Sequence, residues 1–94
     1  MKTIEELERF FEEHEIENVA YFTEPHYVPA IIGMTHDGNH VVYDYRKMVD
    51  YLVETDGMEV TEAYEFIDYN TIRSIPYMGE YAPVVVNSDI INEV

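Results

Sequence analysis

Three histidines, His26, His36 and His40, are the first residues here that could do chemistry. His36 and His40 bracket Asp37, and His26 stands two residues after Glu24. Imidazole binds divalent metals and titrates near neutral pH, so a metal or proton-transfer cluster can be drawn from these side chains. Their placement argues against it. Asp37-Gly38 has the chemistry of a turn tip, whereas metal ligands and catalytic bases need neighbours that hold them in one geometry. Ordinary surface histidines, no metal and no cofactor are expected.

Carboxylates are the second candidates. Twenty acidic side chains against five basic ones give a formal net charge of -15 over 94 residues. Glycosidase or protease chemistry needs two acids in unlike environments inside a cleft, one with a raised pKa. Here the acids recur at helical spacing instead: Glu5, Glu8, Glu12 and Glu15 in one segment, Glu62, Glu65 and Asp68 in another. Such spacing predicts solvated faces. Asp56-Gly57 lacks the further oxygen ligands, ending in Glu, that a calcium loop requires. With no cysteine, thiol catalysis, thiolate zinc sites and disulfides are excluded. No serine sits in a nucleophile elbow, and the four glycines make no phosphate loop. An enzyme is not expected.

The same charge constrains partners. Nucleic acid and anionic membranes are bound by Lys and Arg clusters, which this chain lacks, so direct contact with either is not expected. No apolar run reaches the roughly 18–20 residues of a membrane span. The scarce cations Arg46 and Arg73 are expected to pair with neighbouring carboxylates such as Asp50 and Asp68.

The elements that must position these residues can be read along the chain. Thr3 and Glu6 form a capping box for a first helix with Ile4, Leu7, Phe10 and Phe11 on its apolar side. Val19–Thr23, β-branched and aromatic, predicts a short strand, and Pro25 and Pro29 force a loop after it. Ala30–Thr35 and His40–Tyr43 flank His36-Asp37-Gly38-Asn39, which predicts a β-hairpin. Asp44 fits the N-cap of a second helix, Tyr45 to Thr55, with Tyr45, Met48, Val49 and Leu52 inward and Gly57 as its stop. A third helix should start between Met58 and Thr61 with Val60, Ala63, Phe66, Ile67 and Asn70 on its inner face. As a buried amide, Asn70 is expected to bond backbone groups of the loop from 76 to 83. Val84–Val86 predicts a last strand, and residues 87–94 a frayed tail. One α+β domain spanning 1–94 follows, with an antiparallel sheet of three or four strands, a central hairpin and about three helices packed on one face.

The stretch from Ala30 to Val86 resembles a widespread group of small, acidic, uncharacterised proteins of bacteriophages, prophages and mobile elements. The likeness is carried by Ala30-Ile31-Ile32-Gly33, Val42-Tyr43-Asp44-Tyr45, Asp56-Gly57-Met58, Glu62-Ala63, Tyr69-Asn70, Gly79 and Pro83, in that order. The resemblance implies a viral or mobile-element origin and no particular activity. A cytoplasmic location is expected, in a host cytosol if the gene is viral.

Charge and setting together predict a protein that binds another protein. Carboxylates at Glu5, Glu8, Glu12, Glu15, Glu62, Glu65 and Asp68 would stand where phosphates sit in the channel of a basic host nucleic-acid-handling protein, a mimicry of DNA. Duplex DNA carries a charge about every 1.7 Å of axis, a field that stacked carboxylates approximate. The alternative is a homo-oligomeric structural or accessory protein of a phage assembly or replication complex. Its interface would draw on the nine tyrosines, a residue type enriched in interfaces.

Overall fold

The structure, a computed structural model, describes residues 1–89. Helix α1 (Ile4–Glu13) leads through an irregular segment and a 3-10 turn (Val28–Ala30) into strands β1 (Ile31–Met34) and β2 (Val41–Asp44). Helices α2 (Tyr45–Asp56) and α3 (Val60–Phe66) follow, then a π-helical turn (Ile67–Ile72), a 3-10 turn (Ile75–Tyr77) and strand β3 (Val84–Val86). The α+β class and the three helices are as expected. The five residues after Asp89 lie outside the described part, and with them most of the expected tail; within it, Ser88 is tied to Asp44.

Local chemistry accounts for the boundaries. Thr3 Oγ1 accepts from the Glu6 amide while Glu6 Oε1 accepts from the Thr3 amide, each at 3.2 Å, closing the capping box. Amide and hydroxyl donors from Lys2 and Thr3 hold the Glu6 carboxyl below its usual range. Asp44 caps α2 through the Lys47 amide at 3.1 Å. Gly57 ends that helix at φ 70, a left-handed conformation that glycine reaches without a Cβ penalty.

The sheet order is β1-β2-β3. Strands β1 and β2 form the antiparallel hairpin, with Ile31 opposite Tyr43 and Met34 opposite Val41, and a bulge between Ile31 and Gly33. The turn is closed by the Thr35 amide on His40 O at 2.9 Å and organised by Asp37, whose carboxylate accepts from the Thr35 hydroxyl and the Asn39 amide. Those two donors hold the Asp37 carboxyl below its ordinary value.

Two expectations for the strands are corrected. The sheet is mixed, because β3 runs parallel to β2 with Val42, Tyr43 and Asp44 opposite Val84, Val85 and Val86. Residues 45–83 carry two helices between these strands, and a helical crossover returns the chain to the same end of the sheet, where a tight turn would have reversed it. Val19–Thr23 joins no ladder. Its aromatic composition serves packing instead: Phe22 enters the core, and the segment is tied by the Ala20 amide to Tyr81 O at 3.1 Å.

The core gathers Leu7 and Phe11 from α1, Val41 and Tyr43 from β2, Met48, Val49 and Leu52 from α2, and Ala63 and Ile67 from the third helical run. Phe22, Tyr27, Val28 and Ala30 complete it from the segments between. Tyr43 sits at its centre, and its hydroxyl accepts from the Phe22 amide at 3.2 Å. Helix α2 packs against α3, against the Val28–Ala30 turn and against β2. The other side of the sheet leaves Ile32, Val84 and Val86 exposed.

Candidate functional site

Among the described residues every carboxylate except Asp44 and Asp89 is exposed, so the negative charge coats the molecule. Glu5, Glu8 and Glu12 lie on α1 as the spacing predicts. Glu15 lies beyond the helix, which ends at Glu13, and adopts a left-handed conformation at φ 54. Glu8 accepts from the Tyr21 hydroxyl at 3.0 Å. Burial, then the Glu8 bond and charge, push the Tyr21 phenol up.

Glu62 and Glu65 are exposed on α3, and Glu62 accepts from the Glu59 amide at 3.4 Å. Asp68 sits in the π turn and accepts from the Tyr45 hydroxyl at 2.6 Å. Burial and the Asp68 carboxylate push the Tyr45 phenol well above its ordinary value. The seven predicted residues thus divide between two regions of chain, one around α1 and one on α3 and its π extension.

Of the two cations weighed from sequence, Arg46 does meet Asp50, at 3.2 Å and one helical turn away. Arg73 does not meet Asp68. Its guanidinium lies over the ring of Tyr69, 4.7 Å from the centroid, because the aromatic face is the neighbour one turn back in the same helical run.

The histidines go separate ways. His36 is exposed at the turn. His40 is half-buried and its Nδ1 donates to Ala82 O at 2.7 Å, joining the hairpin to the approach to β3. His26 accepts at Nδ1 from the Val28 amide at 3.0 Å and meets the Tyr51 hydroxyl through Nε2 at 3.1 Å. Two of the three expected surface imidazoles therefore fasten loops.

Next to this coat lies a cleft of about 320 Å³ between the Phe22–Pro25 segment and the π turn. Its apolar lining comes from Tyr21, Phe22, Tyr27, Phe66 and Met78. At its base the Tyr27 hydroxyl and Thr71 Oγ1 are 2.7 Å apart, both buried. Burial pushes the Tyr27 phenol up, partly offset by that bond. Ser74 closes the base by donating to Thr71 O at 2.6 Å.

Asn70 corrects another expectation. It is exposed at the rim, and its Nδ2 donates to Phe66 O at 3.1 Å, within its own helical run. A π turn takes more residues per revolution than an α-helix, so Thr71 takes the inward position and Asn70 swings out. No sequence signal marks that π turn. The cleft was missed for the same reason, and the only hint to it is the aromatic pair Tyr21-Phe22 followed by Tyr27 between two prolines.

No protein-family model, curated protein or solved structure matches this chain. No described helix is long and apolar enough to cross a membrane.

Proposed function

We propose that this chain is a binding protein that acts through its negative surface, modulating or inhibiting a basic nucleic-acid-handling protein by presenting carboxylates where phosphates would lie. The observation that carries this reading is the exposure of nearly all described carboxylates, with only one ion pair within 4.0 Å among the described residues to neutralise them. Such a field speeds encounter with a cationic groove and weakens as salt rises. The likeness to phage and mobile-element proteins supplies the setting, a host target.

The tyrosine-rich oligomer draws less support. Tyr27 and Tyr43 are core residues, and only Tyr69 and Tyr77 are broadly exposed. The experiment is gel filtration of the chain with a panel of basic nucleases, polymerases and repressors at low and high salt, with duplex DNA as competitor. Co-migration that DNA and salt both abolish is expected. Independent migration of every pair at low salt ends the reading.

A further inference from the structure

We infer that the cleft between Phe22–Pro25 and the π turn is a socket for an arginine side chain borne by a protein partner, a reading that rests on the proposed binding function and names its anchoring contact. Three observations meet here. The walls are aromatic and apolar: Tyr21 and Phe66 are partly exposed and backed by the buried Phe22 and Tyr27, a lining suited to a planar cation. The polar groups at the base are already satisfied by one another, Tyr27 with Thr71 and Ser74 with the Thr71 carbonyl.

What remains at the rim accepts hydrogen bonds. The Glu24 carboxylate lines the cleft, is exposed and has no hydrogen-bond or ion-pair partner among the described residues. Asn70 spends an N–H on Phe66 O, which leaves its carbonyl oxygen available. A carboxylate and an amide oxygen over an aromatic floor match the several N–H donors and flat face of guanidinium better than the single ammonium of lysine. The volume, about 320 Å³, lies at the small end of ligand clefts and suits one side chain rather than a large cofactor. Charge complementarity chooses the occupant: a chain at -15 draws basic partners, and arginine is a preferred anchor in interfaces.

The test uses the full chain and N-acetylarginine amide as probe, with N-acetylcitrulline amide as the neutral isostere, followed by backbone amide NMR shifts. Saturable shifts at Phe22, Thr23 and Phe66 to Ser74 with the arginine probe, and none with citrulline, are expected. Glu24→Gln should weaken the probe about tenfold, the scale of a charge-assisted hydrogen bond. Asn70→Trp, at an exposed rim position, should block the cleft without disturbing the core.

Equal shifts from both probes, or non-saturating shifts centred on Glu5 to Glu15, overturn the socket. The coat is tested apart from it, by binding of a basic protein to the Glu24→Gln and Asn70→Trp variants. If the arginine probe fails on the unsubstituted chain while that protein still binds it in a salt-sensitive way, the socket falls and the acidic-surface reading stands.

Discussion

Ser88 donates its hydroxyl to Asp44 Oδ1 at 2.5 Å, so the carboxylate that caps α2 also clasps the chain just past β3. Asp44 is buried, and only these donors make a charge there tolerable. One side chain thereby joins β2, α2 and the end of the parallel strand pair.

Burial alone would raise the Asp44 carboxyl, but the bonds from Ser88 and from the Lys47 amide outweigh it and hold the group below its ordinary 3.8. A depressed folded-state value contributes stability above the unfolded one and loses it as pH falls through the folded one. Asp44→Asn should cost about 1 kcal/mol at neutral pH. The gap to wild type in urea midpoints should stay level down to about pH 4 and narrow below it. A gap that widens on acidification would contradict this assignment.

The Tyr27–Thr71 bond is buried at both ends, so removing one partner strands the other. Tyr27→Phe and Thr71→Val should each cost about 1–3 kcal/mol, and the double variant less than their sum. Chemical denaturation of the four proteins measures the coupling. Strict additivity would mean that the two hydroxyls do not depend on each other.

Burial pushes the Tyr43 phenol up to about 12, against an ordinary 10.0, with the Phe22 amide bond only partly opposing it. A raised folded-state value contributes stability that is complete below the unfolded value and disappears as pH rises through the folded one. Alkaline titration followed by phenolate absorbance should therefore show the Tyr43 phenolate appearing only together with unfolding. Tyr43→Phe should shift the alkaline unfolding midpoint upward relative to its own neutral-pH stability.

The coat predicts a charge-count effect. Replacing Glu5, Glu8, Glu12 and Glu15 with Gln should slow association with a basic partner and flatten its salt dependence. It should leave thermal stability unchanged or slightly raised, since like charges one turn apart oppose an isolated helix by about 0.2–0.5 kcal/mol per pair. Association rates by surface plasmon resonance at several salt concentrations decide it. Rates indifferent to the substitutions would remove α1 from the binding surface.

Much of this was legible in the amino acids themselves. The capping box of α1, the Asp37-Gly38 hairpin, the Asp44 cap and the Gly57 stop depend on contacts a few residues apart, and each appears where the local chemistry puts it. So does the exposure of Glu5, Glu8, Glu12, Glu62 and Glu65, because a charge this dense has nowhere to go but water.

Tertiary packing decided the rest. Whether Val84–Val86 pairs parallel or antiparallel depends on how the helices between β2 and β3 cross the sheet, which no residue near β3 records. Val19–Thr23 has the composition of a strand, yet found no free ladder and gave Phe22 to the core. The π turn that buries Thr71, exposes Asn70 and opens the aromatic cleft answers to distant Tyr27. Short-range hydrogen bonding and solvation fix elements and surface charge from the sequence alone, while register, helical pitch and cavities emerge only when remote segments compete for the same buried volume.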